Sequence, residues 1–309
     1  MTVYADINKR HDFVILFDVE NGNPNGDPDA GNLPRVDPET MHGLVTDVCL
    51  KRKIRNYVAL TKNKTPRYEI YVEHQGVLNN QHERAWAELQ EKTKENFTKE
   101  QKKKPTRQNQ DWTKDWMCKN FYDIRAFGAV MSTEINCGQV RGPVQMTFAR
   151  SKEPIVPLDM SITRVAVTKA EDAKVDEEGG KVSEMGRKSL IPYGLYIGYG
   201  FINPFLAEQT GFSNDDLSLF WDALTMMFEL DRSASKGLMS CRGLYVFTHE
   251  NKLGKAPSHK LFDLVNVNRK TDESVLENEE PTPARSFSDY EVIIDKDKVP
   301  DGVTLKEII

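Results

Sequence analysis

The sequence lacks any apolar run that approaches the roughly 18 residues of a membrane-spanning helix, so we expect no membrane span and no membrane partner. Residues 1–12, MTVYADINKRHD, lack the apolar core of a signal peptide. There are only four cysteines, and no two of them form a CxxC pair, which argues against a structural zinc site or a disulfide framework. These absences predict a cytoplasmic protein whose thiols are reduced.

The usual signatures of catalytic and cofactor sites are also missing. There is no HExxH or GxSxG motif, and the six histidines are scattered along the chain. Gly138 and Gly142 are not followed by a helical pattern, as a P-loop or a dinucleotide fingerprint would require. A loop that begins at Asn21 has the spacing of a calcium loop, but its twelfth position is Asn32 where a bidentate glutamate is needed. We therefore predict no cofactor and no resident metal.

The composition is that of a globular protein, and its charge is unevenly distributed. The chain has 309 residues, of which 39% are hydrophobic and 29% charged, which is enough for one large domain or two modest ones. The formal net charge is −5, which argues mildly against a nucleic-acid partner. Residues 271–301, however, hold ten acids and three bases, whereas residues 41–67 hold seven bases and one acid. A basic face can therefore coexist with an acidic segment near the C-terminus.

Residues 12–62 form the most informative stretch and read as a strand, a long polar loop and a basic helix. Residues 12–19 are an apolar run rich in β-branched and aromatic side chains, which is typical of a buried strand. The following loop is crowded with Gly, Pro, Asn and Asp, and Thr46 or Asp47 can cap the helix after it. The basic side chains of that helix have two interpretations, a solvated face or a stripe that binds phosphates.

The loop NGNPNGDPDAGNLPRVDPET and the helix TDVCLKRKIRNYV, together with the strand before them, resemble the backbone subunit of the type I-C CRISPR Cascade complex. That subunit belongs to the Cas-seven family of the RAMP superfamily. The segments DIRAFGAVMS (123–132) and GQVRGPVQMTFARS (138–151) fit the same family, so the resemblance extends over about residues 10–250. It implies a non-catalytic protein of antiviral defence that oligomerises along a CRISPR guide RNA and presents the guide to a target DNA strand. The implied partners are crRNA, neighbouring copies of the chain, the large, small and guide-processing Cascade subunits, and a recruited helicase-nuclease.

The predicted fold is α+β, a ferredoxin-like or RRM-like palm with a helical insertion and a protruding β-hairpin thumb. The palm is assigned to residues 1–250, interrupted by the insertion at 79–117 and by the thumb at 158–190. Residues 251–309 are predicted to be a C-terminal extension that packs on the palm. Within the palm, residues 67–74 alternate like an edge strand, and residues 121–132 read as a buried helix.

The predicted RNA contacts come from several parts of this fold. Basic side chains on the helix are assigned to backbone phosphates, and neutral side chains to hydrogen bonds. Basic side chains of the early loop, of residues 121–149 and of the hairpin are assigned to further contacts. Arg125, a lone charge among apolar residues, is either paired with a carboxylate inside the fold or bound to a phosphate. The complete set is Asn23, Arg35, His42, Thr46, Lys51, Arg52, Arg55, Arg125, Arg141, Arg164 and Lys188.

Two other functions remain open from the sequence. Asp27, Asp29 or Asp37 in the early loop could serve as the carboxylate of a metal-dependent RNase, as an early-loop aspartate does in backbone subunits of related type III complexes. The resemblance to type I-C points away from this activity, because cleavage there belongs to a separate helicase-nuclease. The other alternative is a scaffold protein whose basic face binds the acidic face of a protein partner.

Overall fold

The computed structural model describes residues 3–63, 65–166, 168, 184–270 and 282–309. The strands are β1 (His11–Gly22), β2 (Gly26–Asp27), β3 (Leu33–Pro34), β4 (His42–Val45), β5 (Gly128–Ser132), β6 (Asn136–Arg141), β7 (Val144–Met146), β8 (Ala149–Pro154), β9 (Leu158–Arg164), β10 (Glu184–Ile202), β11 (Leu238–His249), β12 (Val265–Arg269), β13 (Tyr290–Ile294) and β14 (Val303–Glu307). The α-helices are α1 (Asp47–Lys62), α2 (Leu78–Thr93), α3 (Lys99–Lys103), α4 (Arg107–Asn120), α5 (Tyr122–Phe127), α6 (Pro204–Thr210), α7 (Asn214–Leu230) and α8 (Ser258–Phe262).

The molecule is built on one antiparallel sheet with β1 near its centre. The strand order is β14-β11-β1-β10-β8-β4, and β7 and β9 also pair with the long strand β10. Strand β1 pairs antiparallel with β10 on one side and with β11 on the other. The expected α+β class is therefore confirmed. The order of β11, β1, β10 and β8 is compatible with a ferredoxin-like motif, and that finer assignment remains a prediction.

Strand β1 is buried on both faces, which explains why it reads as a continuous apolar run. Phe13 and Ile15 lie in a core with side chains of α1 and α7. Val14 and Leu16 point to the opposite face and pack in a second core with C-terminal residues. A strand covered on both sides needs no polar alternation. The C-terminal residues thus cover the face of the sheet that the helices leave open.

The inserted helices have a hydrophobic core of their own. Trp86 and Phe121 are fully buried there, and Trp112 and Trp116 pack against the cluster. Trp116 meets the ring of Phe121 edge-on with centroids 6.2 Å apart. Both tryptophans of α4 therefore serve packing, as their i,i+4 spacing predicts.

Two local sequence predictions in this region are wrong. Residues 67–74 form no strand, and only Glu69 makes an isolated bridge, to Phe121. The backbone N–H groups of Tyr71 and Val72 donate instead to the carboxylate of Asp123. The predicted helix 121–132 ends at Phe127, because Gly128 has φ +83° and leads into β5. A carbon on Gly128 would lie 2.4 Å from the carbonyl oxygen of Val140, so a close backbone approach accompanies the turn.

The hairpin predicted at 158–190 has two paired strands at its base. Strand β9 pairs with the first residues of β10, from Leu190 opposite Leu158 to Glu184 opposite Arg164. The side chains of β9 are exposed along its whole length. The sequence predicts a charged excursion over residues 170–189, of which residues 170–183 lie outside the described residues and residues 184–189 belong to β10. The assignment of this hairpin as a thumb, and the domain bounds, remain predictions.

Candidate nucleic-acid interface

The loop after β1 is fixed against the connection between α7 and β11. The backbone N–H of Asn23 donates to the carbonyl oxygen of Ser235 at 2.8 Å. A carbon added to Gly22 would lie only 2.0 Å from the carbonyl oxygen of Lys236, so this approach requires glycine. The backbone at residues 233–237 is therefore held beside the start of the long polar loop.

The same loop also holds the start of helix α1. Thr46 is the N-cap, and its hydroxyl accepts from the N–H of Cys49 at 3.2 Å. The backbone N–H and the hydroxyl of Thr46 both donate to Asn25 Oδ1, at 2.9 and 3.0 Å. Asp47, the other candidate cap, is the first helical residue and pairs with Lys51 at 2.9 Å. The Asn-rich loop thus fixes the position from which the helix projects its basic side chains.

These elements enclose a cleft of about 770 Å³, here called the main cleft. Four of the predicted RNA contacts line it, namely Asn23, Arg35, Thr46 and Arg52. Its other lining residues are Pro24, Asn25, Gly26, Pro28, Asn32, Val48, Cys49, Lys53, Phe148, Asp231, Ser233, Ser235 and Lys236. The lining therefore carries four cations, Arg35, Arg52, Lys53 and Lys236, against the single carboxylate of Asp231.

The cations of the main cleft differ in how strongly they are bound by other groups of the protein. Arg35 Nη1 lies 3.4 Å from Asp27 Oδ1, and Arg52 Nη1 donates to the carbonyl oxygen of Val72 at 2.6 Å. Since a guanidinium has five N–H donors, both arginines keep donors for a ligand. Lys53 is 3% exposed and lies 2.7 Å from Asp231 Oδ2.

Burial and ion pairing act on the two charged partners at the back of the main cleft. Burial lowers the pKa of Lys53, although its hydrogen bond with Asp231 opposes that shift. Burial would raise the pKa of Asp231, but the hydrogen bonds from Lys236 and Lys53 outweigh it and lower that pKa. Asp231 is therefore ionised at neutral pH and balances part of the positive charge.

The predicted stripe of Lys51, Arg52 and Arg55 is divided between two environments. Lys51 and Arg55 do not line the main cleft, and their cationic groups lie over the Phe127 ring, 5.6 and 5.2 Å from its centroid. Arg55 Nε is also 2.7 Å from Asp123 Oδ2. Arg52 is thus the member of the stripe that reaches the main cleft.

A second cleft of about 330 Å³ adjoins the first at the base of the hairpin. It shares Asn23, Asn32 and Ser235 with the main cleft, and Lys188 lines its hairpin side. Arg164 lies farther along the hairpin, with its side chain 55% exposed and 2.5 Å from Glu184 Oε2. The hairpin therefore brings one predicted contact, Lys188, next to the loop residues.

The remaining predicted contacts lie away from both clefts. His42 makes a hydrogen bond through Nδ1 to the carbonyl oxygen of Ser151 at 2.7 Å. Arg141 is exposed at the end of β6, opposite Gly128.

Arg125 needs a correction, because its side chain is 1% exposed and forms a double hydrogen bond with Asp216, at 2.7 and 3.0 Å. The alternative of an internal carboxylate partner is the one observed, and Arg125 is not presented at the surface.

Sequence reasoning missed two residues of the main cleft. Phe148 follows β7 and is 54% exposed, although an aromatic residue beside a strand is usually read as core. Lys236 lies about 180 residues beyond α1 in the chain, and no pattern in the sequence connects the two. Lys53 belongs to the basic run of residues 41–67 but is not among the predicted contacts. Proteins commonly bind single-stranded nucleic acids through an exposed aromatic ring beside cations.

Two properties of the described residues bear on membrane and metal sites. None of the helices in those residues is long and apolar enough to cross a membrane. Within the same ranges, no three His, Cys, Asp or Glu side chains are grouped so that they could hold a metal ion. Two of the early-loop aspartates have protein partners: Asp27 accepts from the N–H of Asp29, and Asp37 Oδ2 is 2.8 Å from Arg150 Nη1.

Comparison with known proteins identifies the family. The family model of the CRISPR-associated protein Cas7 matches residues 9–295, so the chain belongs to this family. A CRISPR-associated protein Cas7 of Haloferax volcanii is 45% identical over 47 residues, which cover 15% of this chain and 14% of that relative. The chain thus matches about one seventh of the length of this curated relative.

Three solved structures are similar at low identity. A CRISPR RNA-guided surveillance complex in a pre-nicking state has a chain with a TM-score of 0.49 and 13% identity, matched over 77% of this chain and 78% of that one. Another CRISPR RNA-guided surveillance complex gives 0.44 and 14%, over 77% and 68%. The cryo-EM structure of the type III-B Cmr-beta bound to cognate target RNA gives 0.38 and 12%, over 77% and 61%.

Proposed function

We propose that this Cas7-family chain is a non-catalytic backbone subunit that holds a CRISPR guide RNA through its phosphates. The observation that carries the proposal is the main cleft, in which four cations and one carboxylate surround an exposed phenylalanine. Cations that contact phosphates bind independently of base sequence, as a subunit that must accept any guide requires. Phe148 offers a face on which a base can stack.

The proposal extends to the assembly. Copies of the chain join head to tail along crRNA, a heterologous contact that builds a helical filament instead of a closed ring. Residues 1–250 serve as an RRM-like palm, and the hairpin at 158–190 serves as a thumb that displaces bases at intervals. The guide segments between those bases pair with the target DNA strand, so base pairing supplies the sequence-specific energy.

The finer identity follows from the resemblance in the first loop and helix. We propose a cytoplasmic type I-C Cascade complex that contains a large, a small and a guide-processing subunit and recruits a helicase-nuclease. Among the predicted contacts, Asn23, Arg35, Thr46 and Arg52 form the phosphate site of the main cleft. Lys188 and Arg164 extend it along the hairpin. Lys51, His42 and Arg141 are further RNA contacts outside the main cleft, and Arg55 holds α1 against Asp123.

The test is binding of the purified chain to two unrelated single-stranded RNAs, titrated across salt. We expect equal affinity for both, a steep salt dependence, and cooperative loading that grows with RNA length. Arg52→Gln should reduce the magnitude of the slope of log K against log salt by about 0.7, the value for one lost contact to a single strand. Arg285→Gln changes an exposed arginine in the C-terminal residues, outside the main cleft, and should leave the slope unchanged.

Three outcomes would contradict the proposal. Absence of binding by the chain alone and with its partner subunits would favour the scaffold function. Divalent-metal-dependent cleavage of bound RNA that Asp27→Ala or Asp29→Ala abolishes would make the chain an RNase. Strong preference for one of the two RNAs would mean that bases, and not phosphates, provide the affinity.

A further inference from the structure

The back of the main cleft contains a charge cluster of two lysines on one carboxylate. Lys53 Nζ lies 2.7 Å from Asp231 Oδ2, and Lys236 Nζ forms an ion pair with the same oxygen. The amide of Asn56 reaches the other oxygen, Oδ1, at 3.5 Å. With two positive charges and one negative charge, the cluster keeps a net charge of +1 beside Arg35 and Arg52.

The carboxylate of Asp231 stands where the helix itself disfavours negative charge. Asp231 is the C-cap of α7, whose last turn has no basic residue. The unpaired carbonyl groups at a helix C-terminus carry partial negative charge, so an aspartate there is unfavourable unless cations compensate it. The two lysines supply that compensation. Asp231 therefore contributes to the charge balance of the main cleft and does not stabilise α7.

The two lysines differ in their freedom to leave the carboxylate. Lys53 is 3% exposed and its ammonium lies 5.7 Å from the centroid of the Phe228 ring, so it has little room to move. Lys236 has its backbone fixed against Gly22, but its side chain is 33% exposed at the cleft. Lys236 can therefore turn from the carboxylate toward a ligand without a change of the main chain.

We propose that Asp231 pairs with Lys236 in the free protein as an RNA phosphate would, and that Lys236 transfers from Asp231 to a phosphate when RNA binds. This inference rests on the proposed function. Lys53 stays on Asp231 in the complex, which keeps a buried ammonium paired. Asp231 is then a residue that sets affinity by competing for Lys236, and Lys236 is a further phosphate contact.

The experiment compares Asp231→Asn and Lys236→Gln with the wild-type chain in salt titrations with a single-stranded oligouridine. Asp231→Asn should bind about tenfold more tightly at moderate salt with an unchanged slope, since Lys236 reaches the phosphate in both proteins. Lys236→Gln should bind more weakly and reduce the magnitude of the slope by about 0.7. In the double variant, the tightening caused by Asp231→Asn should largely disappear, because it acts through Lys236.

The matched control is Asp222→Asn, which removes one negative charge from an exposed position of the same helix outside the main cleft and should leave affinity within twofold of wild type. Asp231→Asn that binds no more tightly than wild type would overturn the inference, and so would Lys236→Gln with an unchanged slope. If Asp231→Asn does not fold, the salt slope of Lys236→Gln alone decides whether the inference holds. Failure of the proposed function is distinct, because wild type itself would then not bind the oligouridine.

Discussion

Arg55 Nε lies 2.7 Å from Asp123 Oδ2, and this ion pair joins helix α1 to helix α5. The Asp123 carboxylate is 1% exposed and also accepts the backbone N–H groups of Tyr71 and Val72. Arg52, one turn earlier on α1, donates to the carbonyl oxygen of Val72 and lines the main cleft. Arg55 is therefore held by a buried carboxylate, whereas Arg52 lines the main cleft, and we predict that only Arg52 of these two contacts RNA.

The first prediction separates these two roles. Arg55→Gln should lower the free energy of unfolding by about 3 kcal/mol, because it leaves the buried Asp123 charge without its cation. Its slope of log K against log salt for RNA should stay close to wild type. Arg52→Gln should show the opposite pattern, with a smaller slope and a loss of stability below about 1 kcal/mol. Urea denaturation and salt titration measure the two effects. If Arg55→Gln reduced the slope as much as Arg52→Gln, Arg55 would be a phosphate contact.

The second prediction concerns the buried pair of Arg125 and Asp216. Arg125→Met removes both hydrogen bonds to Asp216 and should lower the free energy of unfolding by about 3–5 kcal/mol. Arg67 contacts the same carboxylate at 3.4 Å, but its side chain is 44% exposed. Arg67→Gln is therefore the matched control and should change stability by less than about 1 kcal/mol. Equal losses in the two variants would mean that burial does not set the strength of these pairs.

The sequence predicted the elements whose pattern is local. The strand β1, the N-cap at Thr46 and the helix α1 follow from apolar periodicity and from capping residues that act within a few positions. Four of the predicted contacts also meet in one cleft, since Asn23, Arg35, Thr46 and Arg52 belong to one strand–loop–helix unit.

What the sequence did not predict depends on residues far apart in the chain. Residues 67–74 alternate like a strand, but the backbone N–H groups of Tyr71 and Val72 donate to a side chain about 50 positions later. Arg55 reads as a surface cation until its partner Asp123 is known. Lys236 joins the cleft because Gly22 permits a close backbone approach. Burial and ion pairing across the fold determine the contacts of these residues, and local periodicity encodes neither.

The third prediction is a loss of stability at mildly acidic pH. His11 is fully buried, its Nε2 donates to the carbonyl oxygen of Asp6 at 2.8 Å, and burial lowers its pKa from 6.5 to about 4. The unfolded chain takes up this proton below pH 6.5, whereas the folded protein resists it until about pH 4. The contribution is therefore fully present above pH 6.5 and is lost progressively between pH 6.5 and 4, by about 3 kcal/mol in total.

Urea denaturation at several pH values tests this assignment. His11→Gln should be less stable than wild type at pH 7 but should lose less stability between pH 6.5 and 4. Part of the slope should persist, because burial also lowers the pKa of His82. His74→Gln, at an exposed position, should retain the wild-type slope. A wild-type slope in His11→Gln would show that His11 is not the titrating group.

The last prediction tests the aromatic side of the main cleft. Phe148 is 54% exposed and shares the cleft with Arg52, so we expect its ring to stack on a base while Arg52 binds a neighbouring phosphate. Phe148→Ala should weaken RNA binding by about 1–3 kcal/mol, the range for one lost stacking contact, whereas Phe148→Trp should retain binding. Leu253, which is 78% exposed and does not line the main cleft, provides the control, and Leu253→Ala should leave affinity unchanged. Both alanine variants should keep the wild-type urea midpoint, because neither side chain is buried. If Phe148→Ala bound RNA as tightly as Leu253→Ala, the ring would have no stacking role and the cleft would act through its charges alone.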